Sequence, residues 1–337
     1  MSTVSAAALR RTLAALPRLD LADLPTPLEE LPRLSRALGG PRILVKREDQ
    51  TGLAMGGNKI REFEYSIAQA VEQNCDVLVH GAAAQSNQSR QTAAVAARLG
   101  LKSVIVGRAD AHAHLQGNLL LARLFGAEVH LPQPQEQGAF LKAKLEQLRQ
   151  QGHKPFNTSS DGAIYRSIAY VDGFLELWDQ LQQQEIEPDA LYLCSGAHTH
   201  VGLVVGARAL GLQQRIVGIS PSPRDDSATA SHLARIAADN AAILGLELEF
   251  SADDIESYAA FAGPAYGVVT PACQEAIQLT ARQEGLLLDP CYTGKTMAAL
   301  IAHIRQGWWR PDQTVVFIHT GGTPALFAYN QELGLDD

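Results

Sequence analysis

The chain has 337 residues, of which 46% are hydrophobic and 19% charged, and its formal net charge is -8. That length buries a large core and suits one enzyme-sized unit of two lobes, with the composition of an ordinary globular protein. The negative balance excludes a protein that tracks a nucleic-acid backbone over a long basic surface, yet leaves room for local capture of a small anion.

Taken in chain order, the first predicted element is a helix over residues 6–16. It is alanine-rich, contains Arg10 and Arg11 and runs into Pro17, and it is expected on the surface. No apolar run reaches bilayer length and the start lacks the apolar core of a secretory signal, so no membrane partner is expected. Leu24-Pro25-Thr26-Pro27-Leu28 reads as extended, because each proline pushes its predecessor out of the helical region. A strand over residues 43–48 leads to Gly56-Gly57-Asn58-Lys59 and a helical run. Strands at 77–80, 103–106 and 128–131 then alternate with helices at 91–99 and 119–125, and the Gln-, Glu- and Lys-rich stretch 133–154 reads as a solvated helix. A second series has strands at 190–193, 215–219 and 314–318 among alanine-rich helices. Such alternation predicts an α/β fold of parallel sheets covered by helices.

Lys59 is the first candidate for chemistry. A lysine beside Gly-Gly can be approached closely by a ligand, and desolvation there favours an amine able to attack a carbonyl. It is read as a Schiff-base lysine, with pyridoxal phosphate as the carbonyl partner; the plain alternative is a solvated first-turn residue. Gly81 to Gln91 follows a strand and opens a helix, where free N–H groups attract a carboxylate or phosphate. Ser86 caps that helix in the simplest reading; in the functional one Ser86, Asn87 and Gln88 hold an amino-acid carboxylate and Asn87 meets the cofactor's phenolic oxygen. Cys194 to Leu203 repeats the arrangement, and its amides with the Thr199 hydroxyl are candidates to cradle one phosphate. His198 and His200 are too few for a metal site, and no metal is expected. Tyr266 and Tyr292 lie in turns bounded by glycine and proline, either as packing residues or as groups near a planar cofactor. The strand at 314–318 empties into His319-Thr320-Gly321-Gly322. Four glycine or small-residue loops at strand ends predict one shared cleft. The dinucleotide fingerprint is absent, which disfavours a nicotinamide dehydrogenase. Cys75, Cys194, Cys273 and Cys291 form no CxxC pair, so a reducing cytoplasm is the expected compartment.

Together these residues resemble the fold type II pyridoxal-phosphate enzymes, and within them the D-cysteine desulfhydrase / 1-aminocyclopropane-1-carboxylate deaminase family. The resemblance runs from Leu24-Pro25-Thr26-Pro27-Leu28 through Lys46-Arg47-Glu48-Asp49, Gly56-Gly57-Asn58-Lys59, Gln85-Ser86-Asn87 and Tyr292-Thr293-Gly294-Lys295 to Thr320-Gly321-Gly322. It implies a homodimer acting on a small amino acid. A smaller domain of about 60–180 would be inserted in a larger one formed by 1–59 and 181–337, with the cofactor between them. It further implies that Lys59 holds the cofactor and moves the α-proton. Gly196, Ala197, His198, Thr199 and His200 would hold the phosphate, Tyr266 and Tyr292 flank the substrate, and Thr293 meets the pyridine nitrogen, with Thr320 and Gly321 also at the cofactor.

In the deaminase branch the position of Thr293 resembles a glutamate, which keeps the ring protonated; a threonine offers only a neutral hydrogen bond. Gln88 is closer to the deaminase branch, but Thr293 addresses the cofactor's electronics directly and is given more weight. The expected reaction is therefore a desulfhydrase-like β-elimination giving pyruvate, ammonia and sulfide. Cyclopropane deamination and cysteate sulfo-lyase activity are the alternatives, and a catalytically silent pyridoxal-phosphate binder is the alternative of another class. The chain departs from the family pattern at Ala82-Ala83-Ala84, where glycines are usual, and at His198, where the family carries glycine.

Overall fold

Ten strands form two sheets in the computed structural model, which describes residues 3–335. The larger sheet has the order β1 (Leu28–Glu30), β2 (Arg42–Lys46), β10 (Thr314–Ile318), β7 (Ala190–Cys194), β8 (Arg215–Ile219), β9 (Glu256–Tyr258). Only β1 is antiparallel to its neighbour. The smaller sheet has the order β5 (Glu128–His130), β4 (Lys102–Val106), β3 (Val77–Gly81), β6 (Pro155–Asn157), all parallel. The helices are α1 (Ala6–Ala14), α2 (Pro32–Leu38), α3 (Asn58–Glu72), α4 (Asn87–Leu99), α5 (Gly117–Leu124), α6 (Gln137–Gln150), α7 (Ala163–Gln183), α8 (His198–Ala209), α9 (Asp226–Ile243), α10 (Pro271–Glu284) and α11 (Thr293–Arg305).

Strands β7 and β10 are apolar without alternation because both of their faces are covered. Leu191, Leu193, Val316 and Ile318 pack with α7, α8 and α9 on one face. The alternate residues Ala190, Tyr192, Val315 and Phe317 pack with α2, α10 and α11 on the other. In the smaller sheet Leu78 meets Ile60, Phe63, Ile67 and Val95, while Val77, Val79, Val104 and Val106 face Leu148 of α6. Helix α7 packs against both α3 and α8, so its apolar face is part of the larger core.

The three strands not anticipated, β1, β6 and β9, are three residues each. A strand that short carries no readable period, and its identity comes from its partner. The first strand of the lysine loop ends at Lys46 and Glu48 opens a 3₁₀ turn. The leading helix is not simply a surface element, since Leu9 and Leu13 are buried in the larger core.

A buried ionic network fixes the start of α3. Glu48 accepts from Arg61 Nε at 2.8 Å, Arg61 Nη2 at 2.8 Å, Tyr170 at 2.7 Å and Thr26 at 2.6 Å. Glu176 of α7 accepts from both Arg61 Nη atoms at 3.0 Å and from Lys46 at 2.5 Å. The end of β2, the first turn of α3 and the middle of α7 are thereby bound to one another.

Candidate active site

The carboxyl ends of β2, β3, β7, β8 and β10 open onto one cavity of about 350 Å³. Asn58 and Lys59, residues from Gly81 to Gln88, residues from Cys194 to Thr199, Pro221 to Arg224, and Thr320 with Gly321 contribute to its wall. Parallel sheets present ligand loops at this end because helix N-termini and uncommitted backbone amides gather there.

Lys59 is the second residue of α3, and two loops meet beneath it. The Asn58 amide donates to Thr320 O at 3.0 Å. A Cβ on Gly321 would lie 2.8 Å from Gly57 Cα, so a side chain there has no room between the loops. Lys59 Nζ reaches the wall and pairs with Glu62 Oε1 at 3.0 Å, with its side chain 23% exposed. The amine is thus held by a carboxylate one helical turn away, whereas the sequence pointed to desolvation. Glu62 Oε1 also accepts from Thr199 Oγ1 at 2.9 Å, and Thr199 accepts from Asn58 Nδ2 at 2.9 Å. Glu62 Oε2 is buried and has no partner among the described residues.

Across the cavity, α8 begins without a side-chain cap. Its free first amides carry the positive end of the helix dipole. Gly196 has open space beside its backbone, and Ala197 adopts φ 121°, a conformation rare for an L residue. Gly196, His198 and Thr199 line the cavity. Ala197 instead lines a neighbouring hollow with Arg224, Asp225 and His232. The His200 ring points into the protein, with Nδ1 3.0 Å from Ser195 Oγ and Nε2 3.1 Å from Ile216 O. Burial pushes its pKa down to about 4. The two histidines therefore diverge.

At the start of α4 the plain reading of Ser86 is met: its Oγ accepts from the Ser89 amide at 3.3 Å as an N-cap. Asn87 Oδ1 accepts from Asn118 Nδ2 at 2.8 Å, and Asn118 is itself held by Gln85 O at 2.9 Å and Arg90 Nε at 2.8 Å. Gln88 is fixed at both ends, donating to Thr158 O at 2.9 Å and accepting from Arg166 Nη1 at 3.1 Å. Of the three alanines that depart from the family pattern, Ala82 reaches the wall and Ala84 is buried. Tyr266 and Tyr292 both line the cavity and share a hydrogen bond of 2.6 Å between their hydroxyls. Burial pushes both phenols up, so each stays protonated over the physiological range.

Thr293 is buried, its hydroxyl donates to Asp289 Oδ1 at 2.8 Å and accepts from the Asp289 amide at 2.8 Å, and it is not among the residues that line the cavity. Asp289 receives the amides of Cys291, Tyr292 and Thr293, and the threonine is spent on fastening that turn. Thr320, after β10, lines the cavity, as Thr199 does.

Sequence reasoning missed Glu62 and Arg166. Glu62 follows Lys59 by one turn, and that spacing was legible. Arg166, on the first turn of α7, comes from a distant stretch and gave no local signal.

The comparisons with known proteins agree with this geometry. The family model described as "Pyridoxal-phosphate dependent enzyme" matches residues 19–321. The chain is similar to the D-cysteine desulfhydrase of Serratia proteamaculans (strain 568), 40% identical and covering 96% of this chain and 99% of that one. It is similarly close to the D-cysteine desulfhydrase of Klebsiella pneumoniae (strain 342), at 39% identity over 96% of this chain and 99% of that one. Among solved structures, an ACC deaminase homologue superposes with a TM-score of 0.86 at 31% identity, covering 96% of this chain and 98% of the other. Diaminopropionate ammonia lyase from Escherichia coli shares the fold, with a TM-score of 0.65 at 17% identity over 98% and 92% of the two chains. With the family model spanning most of its length, this chain belongs to the pyridoxal-phosphate dependent enzymes and has their fold type II architecture.

Proposed function

We propose that this enzyme is a carbon–sulfur lyase that carries out β-elimination on a small amino acid, with D-cysteine as the leading substrate. The cavity fits the cofactor: an amine stands on one wall, and an uncapped helix N-terminus with an open glycine stands on another. When bound, pyridoxal phosphate supplies a sink for the electron pair released as the Cα–H bond breaks. Lys59 would hold the cofactor's aldehyde carbon, and its amine would take the proton from Cα. The amides of Gly196 to His200 hold the phosphate; for Ala197 and His200 this is a backbone role, since their side chains point elsewhere. The Thr199 hydroxyl, already shared with Glu62 and Asn58, sets the edge of that cradle. Ser86, Asn87 and Gln88 orient the substrate carboxylate at the N-terminus of α4, where the helix dipole favours an anion. The Tyr266–Tyr292 pair, protonated and coupled, is a donor placed to position the substrate or protonate a departing group.

The observation that carries elimination over ring opening is that the site's carboxylate, Glu62, is committed to Lys59 and Thr199, while Thr320, and no carboxylate among the described residues, lines the wall itself. Thr320, which lines the wall while Thr293 is turned to Asp289, would offer the cofactor's ring nitrogen a neutral partner. The runner-up, cyclopropane deamination, is supported by the likeness to the ACC deaminase homologue. Incubating the holoenzyme with D-cysteine, L-cysteine, L-cysteate and aminocyclopropane carboxylate, while following keto acid, ammonia and sulfide, separates these readings. Turnover of D-cysteine with sulfide release is expected. Silence with all four, alongside a borohydride-trapped pyridoxyl group on the Lys59 peptide, leaves only a silent binder.

The division into a small inserted domain at about 60–180 is supported by the strands of the smaller sheet, although α7 lends its apolar face to the larger core. No helix among the described residues is long and apolar enough to cross a membrane. A cytoplasmic homodimer is the proposed state. The four cysteines are free. Leu115, Leu120 and Leu124, before and on α5, and Phe327, on the 323–328 turn that packs against α5, are exposed, and such apolar side chains suit self-association. Light scattering at micromolar concentration tests the dimer.

A further inference from the structure

With the α-carboxylate assigned to α4 and the phosphate to α8, two cations on the cavity wall are left unassigned, the buried Arg166 and the exposed Arg224. Arg166 is 7% exposed and its Nε has no partner among the described residues. Its Nη1 donates to the neutral amide oxygen of Gln88 at 3.1 Å, and it forms no ion pair with Glu62, whose ammonium partner is Lys59. A buried guanidinium facing a neutral acceptor is costly to keep unless an anion completes it. Burial pulls its pKa down, and the nearby Glu62 only partly opposes this. Around it, Ser159 and His80 line the same wall, joined at 3.0 Å, with His80 kept neutral by burial, its pKa pushed down to about 3. Arg224, exposed at the mouth, has no ion-pair partner among the described residues and adds positive potential there. A protein with a net charge of -8 thus gathers cationic side chains at this cavity.

We infer that Arg166 lets this site accept, beside D-cysteine, amino acids whose β-substituent carries its own negative charge, with a sulfonate as the model group. The inference rests on the β-elimination reading and adds a substrate class to it. A guanidinium presents a fork of donors that matches the oxygens of a sulfonate. With cysteate, the Cα–H and Cβ–S bonds break and sulfite departs with the C–S electron pair. One water then converts the three-carbon enamine to pyruvate and ammonium, so the reaction needs neither oxidant nor reductant.

The test compares holoenzyme with R166Q and R166K on both hands of cysteate and on D-cysteine, following keto acid and sulfite, with methanesulfonate as a competitive inhibitor against D-cysteine. The wild type is expected to release sulfite from cysteate and to be inhibited by methanesulfonate. In R166Q the ratio of kcat/KM for cysteate to that for D-cysteine should fall roughly ten- to hundredfold, mostly through KM, and R166K should recover part of it. Equal losses on both substrates would assign Arg166 to the α-carboxylate or the phosphate and overturn the inference, as would an unchanged ratio. Turnover of D-cysteine without cysteate turnover or methanesulfonate inhibition overturns the inference while leaving the lyase reading intact. Turnover of neither substrate brings both down. Should R166Q fail to fold, R166K and the wild-type inhibition decide.

Discussion

Two ionic clusters flank the first turns of α3, and they are built in opposite ways. Arg61 spends its guanidinium on Glu48 and Glu176, while Lys46 meets Thr26 O at 2.7 Å, Glu176 at 2.5 Å and Gln180 at 2.7 Å. Arg166, also buried, faces a neutral amide and keeps an empty Nε, and Glu62 keeps an empty Oε2. Burial alone lowers an arginine's pKa, yet Arg61 ends well above its ordinary value because Glu48 outweighs that cost, whereas Arg166 ends below. Charges that serve the fold are saturated by the protein; charges around the cavity are left with valences for something else to fill.

That contrast can be broken or sharpened by measurement. The largest effect belongs to Lys59→Ala, which should cut keto-acid formation by roughly 10³-fold or more and abolish the trapped Lys59 peptide, while moving the urea midpoint little. Arg61→Met should do the reverse. Stranding Glu48 and Glu176 costs about 3–5 kcal/mol by urea titration, against less than about 1.5 kcal/mol for Glu62→Gln, which keeps one acceptor. Equal losses in the two variants would erase the distinction between the clusters.

Acid should weaken the fold in two stages. His80 and His200 are buried and neutral, with pKa values pushed down to about 3 and about 4. Because the unfolded chain takes protons there first, stability present above the ordinary histidine value of 6.5 declines as pH falls below it. Glu48, held to about 2 by Arg61 against the burial that opposes it, adds a second loss as pH drops from its ordinary value of 4.5 toward 2. Urea midpoints from pH 8 to pH 4 should show the first stage, and His80→Gln should flatten it. A midpoint independent of pH across this range would contradict the buried-histidine account. The smallest effect is Ser86→Ala: loss of the α4 cap should lower stability by about 1 kcal/mol. A fall in kcat/KM beyond that expected from unfolding would add a substrate role to the cap.

The long strands and most helices were legible because their cores impose period and length. The edge strands β1, β6 and β9 were not, since three residues pair only where a neighbour offers its edge. Within the site, Lys59, Ser86 and the loop after β7 stood out as glycine or cap signals beside apolar runs. The direction of the Thr293 hydroxyl was not legible, because it depends on what competes for it, and Asp289 takes it.

By itself the sequence determined the alternation of strand and helix, the lysine behind its glycine turn and the loops that end the parallel strands. These follow from local propensity, periodicity and backbone sterics, all written in neighbouring residues. Only the tertiary structure decided that His200 turns inward while His198 faces the cavity, that Glu62 and not dryness holds the Lys59 amine, and that Arg166 stands unpaired beside Gln88. Those facts depend on which side chains from distant stretches compete for the same hydrogen bonds, and that competition exists only once the chain has folded.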